Sequence, residues 1–235
     1  EHLRVPWRQV ARRPMAMASM VVLLVYVAVG LMDSVHYRPL LNGRNQGEPV
    51  YSNEVLSLLD MAAKPLRLRT EKTYSAPFAM QAYTKETVEY PGGRHVREFP
   101  RLLHGGAHLR EPGEHAGDIA TRAGAATLAG FGFWLLLVTG FLLFWRRRGE
   151  PWMQATRRLV HGEGDFPWRT VLVTVGVLVI LTANAGYLSL YYHIFGTDQV
   201  GQDVFYKSLK SIRTGLVIGT LTTLVMLPFA ALFGI

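Results

Sequence analysis

The 235-residue sequence contains no cysteine, which excludes disulfides, thiolate metal sites and cysteine nucleophiles together. Charge is missing too, but only locally. Charged residues make up 18% of the chain, yet none falls in residues 15–32, 123–145, 170–194 or 214–235. These stretches are 18, 23, 25 and 22 residues long, and an apolar helix needs about 20 residues to cross a hydrocarbon core of roughly 30 Å. A charge at mid-membrane costs about 2.5 to 3.5 kcal/mol on insertion scales. Four such windows in a chain with 25 basic and 17 acidic residues therefore read as transmembrane helices and not as the buried core helices of a large soluble protein. No span carries a carboxylate pair, a Ser/His pair or a metal-ligand cluster, so an enzyme is not expected. His193 stands alone at the end of the third span, as an interfacial residue and not a base.

The arginines set the orientation. Residues 1–14 hold Arg4, Arg8, Arg12 and Arg13 against Glu1, and residues 146–169 hold Arg146, Arg147, Arg148, Arg157, Arg158 and Arg169 against three acids. Both segments are therefore expected in the cytoplasm. Residues 33–122, with 12 basic and 11 acidic side chains, are close to balance, as a translocated segment should be. The net charge of +8 is thus mostly topology and does not imply a nucleic-acid surface. Residue 1 is Glu, and the first apolar run lacks a small-residue cleavage pattern, so that run is expected to be a retained span.

The expectation is an all-α membrane protein: four transmembrane helices with a small α+β periplasmic domain between the first and second. Residues 1–14 form a cytoplasmic segment, 15–32 the first span, 33–122 the periplasmic domain, 123–145 the second span and 146–169 a cytoplasmic loop. Residues 170–194 form the third span, 195–213 a periplasmic loop and 214–235 the fourth span. Within 33–122, residues 52–64 read as a short helix capped by Ser52 or Asn53 and stopped by Pro65. Residues 84–99 alternate in polarity around Pro91-Gly92-Gly93 and read as a hairpin. His104 and His108 have the spacing of a helical metal pair, but Gly105 and Gly106 between them favour loop histidines.

The most informative motif follows the third span: Phe195-Gly196-Thr197-Asp198-Gln199-Val200-Gly201-Gln202-Asp203-Val204-Phe205, then Lys207, Lys210 and Arg213. Thr197, Asp198 and Asp203 suit helix N-caps, and Gly196 and Gly201 permit tight turns. Residues 203–213 can form an amphipathic surface helix with Phe205, Leu209 and Ile212 on its apolar face and Lys207 and Lys210 toward water, before the chain turns into the fourth span. Taken physically, this is an interfacial connector with caps. In the spans, Gly215 and Gly219 form a small-xxx-small pair suited to close helix packing, and Pro228 interrupts the fourth helix. Asn184 needs a partner and should face the bundle or a translocation path. Trp134, Trp145, Trp168, Tyr187, Tyr191 and Tyr192 read mainly as interfacial aromatics.

Gly-Thr-Asp-x-x-Gly-x-Asp-Val, followed by a basic amphipathic stretch and an apolar helix opening with Gly215 and Gly219, resembles the first outside loop of the C-type permease subunits of dipeptide, oligopeptide and nickel ABC importers. The likeness covers residues 178–235; where the family usually has Arg after the second Gly, this sequence has Gln202. The resemblance implies a binding-protein-dependent importer subunit with no cofactor of its own. ATP and Mg would sit on two cytoplasmic ATPase partners, beside a second permease subunit and a periplasmic solute-binding protein, in a bacterial inner membrane. It also implies that Gly196, Thr197, Asp198, Gly201, Gln202, Asp203 and Asn184 line the pathway or its periplasmic gate. By that mapping the first two spans and residues 33–122 are an N-terminal extension. The Glu-Ala-Ala-x-x-x-Gly coupling loop of the family does not occur in these residues, so the chain is expected to be the N-terminal part of a longer permease. Without the resemblance, a membrane scaffold or sensor whose periplasmic segment binds a ligand accounts for the same spans.

Overall fold

The computed structural model describes residues 13–45, 48–90, 93–147, 153, 159 and 166–234. Arg4, Arg8, Arg12, Arg148, Arg157 and Arg158, which carry much of the charge asymmetry, lie outside the described residues, as do Pro91, Gly92 and Ile235. The chain is mostly helical, with small two-stranded sheets. Among the described residues, four helices are long and apolar enough to cross a membrane: α1 (Pro14–Ser34), α4 (His115–Arg147), α5 (Trp168–Leu188) and α6 (Val204–Phe233). Their apolar windows are at most 17% buried within the protein, as expected of surfaces that lipid solvates.

Two boundaries differ from the sequence expectation. α5 stops at Leu188, with Ser189 as its C-cap; the Ser189 hydroxyl donates to the Gly186 carbonyl at 2.8 Å. Tyr192 and His193, expected at the end of that span, are each only 2% exposed and buried in protein. The amphipathic stretch and the fourth span are one continuous 30-residue helix, α6, with no turn between them. Thr214 and Gly215 lower helix propensity there without breaking the hydrogen-bond ladder.

Two compact units emerge, residues 1–25 with 108–191 and residues 26–107 with 192–235. In the first, α4 and α5 run antiparallel and lock at successive levels. The Asn184 amide donates to the Thr127 hydroxyl at 2.9 Å. A Cβ on Gly130 would lie 3.2 Å from the Cα of Ile180, so the missing side chain sets how closely the helices approach. Trp134 donates its indole N–H to the Leu172 carbonyl at 2.8 Å and fills the space above Gly176. Trp134 is therefore a packing residue, not part of an interfacial belt. Arg122 lies 3.6 Å from the centre of the Tyr191 ring and is bonded to Asp118, which also meets His108 at 2.8 Å. His104 and His108 sit in a non-helical turn.

In the second unit, β1 (His36–Tyr37) pairs antiparallel with β4 (Leu56–Ser57), and β2 (Leu40–Asn45) with β3 (Glu48–Tyr51). β5 (Glu86–Tyr90) and β6 (Arg94–Glu98) form the hairpin read from the sequence, with Val88 opposite Val96. The expected helix over residues 52–64 is instead a strand followed by α2 (Leu58–Ala62). Its cap is Ser57, not Ser52 or Asn53: Ser57 and Asp60 form a reciprocal capping box. Pro65 does not end a helix but opens α3 (Lys64–Leu68), where its missing N–H costs nothing.

Candidate functional site

The motif loop builds itself around Asp198. Its carboxylate accepts from the backbone of Val200 and Gln202 at 3.0 and 2.8 Å, while Gly201 N–H donates to the Asp198 carbonyl at 2.9 Å. Lys207, one turn into α6, pairs with the same carboxylate. Desolvation would raise the Asp198 acid, yet Lys207 and the two backbone donors hold it below its ordinary range. Asp203 caps α6 by accepting from Phe205 and Tyr206 N–H at 2.8 and 3.2 Å. Gly196 and Gly201 both have φ of +74°, so the turns need residues without a Cβ penalty.

This loop is laid against residues 71–75. Glu71 N–H donates to the Gly201 carbonyl at 2.8 Å, and the Thr197 hydroxyl donates to the Thr73 carbonyl at 2.8 Å. Thr197 N–H lies 3.1 Å from the Ser75 hydroxyl, and Thr197 is 3% exposed. A Cβ on Gly196 would fall 2.1 Å from the Ser75 carbonyl oxygen. Both motif glycines are thus required twice, once by φ and once by a neighbouring backbone.

A buried ionic triad closes the contact from one side. His193 lies between two carboxylates, with Nδ1 2.7 Å from Asp203 and Nε2 3.3 Å from Glu71. Both partners accept, so the ring donates from both nitrogens as an imidazolium. Burial alone would lower its pKa, but the two carboxylates raise it from 6.5 to about 9. Burial would raise Glu71, yet His193 and the backbone N–H groups of Leu103, His104 and Gly105 hold it down at about 2. Tyr192 packs beside this triad, its ring centre 6.2 Å from that of Phe78.

A second cluster joins the start of α6 to the end of α1. Tyr206, Lys210 and Arg213 follow one another at i, i+4 and i+7 and turn inward. The Tyr206 hydroxyl donates to Asp60, Lys210 reaches Asp60 at 3.0 Å, and Arg213 reaches Asp33 at 3.5 Å and its carbonyl at 3.1 Å. Ser57, fully buried, donates to Asp33 at 2.9 Å while capping α2. Burial would raise the Asp60 acid, but Ser57 N–H, Tyr206 and Lys210 hold it well below the usual carboxylate range. Lys207 and Lys210 are therefore ion-pair partners and do not simply face water. Asp33 and Asp60 are buried while Lys210 and Arg213 stay partly exposed, so each buried carboxylate has a cation to offset its loss of water.

Of the residues singled out in the sequence, Gly196, Thr197, Asp198, Gly201, Gln202 and Asp203 come together in this one loop, and Gln202 stays exposed. Asn184 belongs to the other compact unit, where it bonds α4. On α6, a Cβ on Gly215 would stand 3.6 Å from the Tyr26 hydroxyl, Gly219 faces open space, and Pro228 is carried within the helix. Glu71, Asp33 and Tyr206 carry no local signal that marks them, Asp60 carries only the capping-box spacing from Ser57, and His193 is not the isolated interfacial residue that its position suggests. The Glu71 carboxylate that helps give His193 its character lies 122 positions away, at no motif spacing. Among the described residues, no group of three or more His, Asp or Glu side chains is arranged to hold a metal ion. No protein-family model, curated protein or solved structure matches the chain.

Proposed function

We propose that the chain is a transmembrane permease subunit of a binding-protein-dependent ABC importer, taking peptides or related small solutes across a bacterial inner membrane with its N-terminus in the cytoplasm. The observation that carries this reading is the Gly-Thr-Asp-x-x-Gly-x-Asp loop between two candidate spans. Every defining residue of that loop serves its geometry. Both glycines take positive φ against a neighbouring backbone, Thr197 and Asp198 fold the loop, and Asp203 caps the next span. In this reading residues 197–213 form the outer rim of the pathway, near where a solute-binding protein docks. A second permease subunit completes the path, and two cytoplasmic ATPases supply the energy. Transport then proceeds by rocking of helices between outward and inward states, with no bond made or broken on this chain.

Purification of the full-length protein from native membranes tests the assignment. Co-elution of an ATPase pair and a second membrane subunit is expected; recovery without any nucleotide-hydrolysing partner overturns it. In the intact system, Asp203→Ala should impair uptake without preventing membrane insertion, and unchanged uptake would count against the placement of the rim. A scaffold or sensor is favoured by one feature, a cavity of about 600 Å³ whose lining includes Glu54, Asp60, Arg67, Gln202, Lys207 and Lys210. That reading requires a ligand-dependent stability change in the protein purified alone.

A further inference from the structure

The last turn of α4 carries Arg146 and Arg147, both exposed, and among the described residues neither has an acidic partner. Beside them, among the described residues, Gly140, Leu143 and Phe144 line an open groove of about 570 Å³. A Cβ on Gly140 would meet no other atom within 4 Å, so the groove there is bare helix backbone. The same helix end carries a second feature. Trp168 gathers Phe141 at 4.7 Å, Trp145 at 5.6 Å and Phe166 at 4.5 Å between ring centres. Aromatic clusters of this kind at a span end mark the headgroup level of a bilayer. The two guanidinium groups then stand at phosphate depth, and the groove, reaching about 10 Å down the helix from Arg147 to Gly140, stands at the depth of upper acyl chains.

We propose that this groove holds a single anionic phospholipid, with its phosphate on Arg146 and Arg147 and one acyl chain over Gly140 beside Leu143 and Phe144. Guanidinium groups match phosphate oxygens with paired donors, and among the described residues no carboxylate pairs with either arginine to compete with an anion there. The groove adds what charge alone lacks. General attraction of a basic helix end to an anionic leaflet needs no shape, whereas a bound lipid needs the space that Gly140 leaves open. The inference depends on the spans alone and stands apart from the transport reading.

The test uses full-length protein in detergent with an equal mixture of phosphatidylglycerol and phosphatidylcholine of identical chains, retained lipid being counted by native mass spectrometry. Preferential retention of one phosphatidylglycerol per chain is expected. Arg146→Gln with Arg147→Gln should lower it by roughly tenfold or more. Gly140→Leu keeps every charge, has room for its side chain, and should lower retention to a similar degree with an unchanged unfolding midpoint. Equal retention of both lipids by the unaltered protein overturns the proposal. So does full retention by Gly140→Leu, which would leave only shapeless attraction, or displacement of the lipid by inorganic phosphate, which would reveal a site for the free anion.

Discussion

Gly201 packs so closely on Glu71 that a Cβ built on the glycine would stand 1.8 Å from the Glu71 carbonyl oxygen. The two residues also share a backbone hydrogen bond of 2.8 Å, so the approach is held and is not incidental. Segments 130 positions apart are thereby fastened at the level of main chain, and the loop that carries the motif cannot shift without breaking the contact.

Gly201→Ala should therefore be among the most damaging small substitutions in the second unit. A left-handed backbone costs an alanine about 1 to 2 kcal/mol, and the overlap with Glu71 adds to this. A loss above about 4 kcal/mol is expected, seen as a large fall in the unfolding midpoint in detergent. Gly113→Ala, where a Cβ meets nothing within 4 Å, should change stability by no more than about 0.5 kcal/mol.

The triad makes stability depend on pH from both sides. The folded protein holds the His193 proton more tightly than the unfolded chain does, so this contribution is complete below pH 6.5 and is lost as pH rises through about 9. Glu71 behaves oppositely: its contribution is complete above pH 4.5 and is lost as pH falls toward about 2. Thermal unfolding across this range should show a plateau between 4.5 and 6.5. A midpoint that stays level from 6.5 to 9 would contradict the assignment of His193 as a buried imidazolium.

Removing the ring should be costly at any pH at which Glu71 and Asp203 are ionised. His193→Leu leaves Glu71 and Asp203 buried without their cation, a loss of about 3 to 5 kcal/mol. With Asp203→Asn added, part of that loss should return, because one of the two uncompensated charges has gone. A double variant less stable than His193→Leu by the full cost of Asp203→Asn would show that the pair acts independently.

At the second cluster, a double-mutant cycle of Asp60→Asn and Lys210→Met should give a coupling of about 0.5 to 3 kcal/mol. Ser57→Ala should cost about 1 kcal/mol or more, since it removes both the cap of α2 and a donor to buried Asp33. Denaturation of these variants beside the unaltered protein in one detergent supplies both numbers.

Between α4 and α5, side-chain polarity and backbone approach should separate cleanly. Asn184→Leu deletes one interhelical hydrogen bond, worth on average about 0.6 kcal/mol in a membrane. Gly176→Val should cost several times more, because a Cβ there would lie 2.6 Å from the Trp134 indole nitrogen and would push it off the Leu172 carbonyl. Comparable midpoints for the two variants would show that the indole is not held as described.

The four long apolar helices are legible because the length and composition that lipid would require can be stated locally: about 20 residues without charge. The hairpin at residues 86–98 and the cap of α6 by Asp203 are legible for a similar reason, since turn residues and N-caps act within a few positions. The helix expected over residues 52–64 fails because Ser57 and Asp60 form a local capping box that starts the helix later than Ser52 or Asn53 would, and the same Ser57 also bonds Asp33, 24 positions back. The inward turn of Lys210 and Arg213 likewise depends on Asp60 and Asp33, whose positions no helical periodicity reveals.

The amino-acid sequence by itself determined where charge is absent, where turns need glycine and which residues begin α6, because these follow from solvation and local sterics. Only the tertiary structure decided that His193 is a buried cation, that Glu71 is its partner and that the motif glycines face a second backbone. Those properties arise when distant groups leave water together, and the strength of a charge depends on what replaces that water.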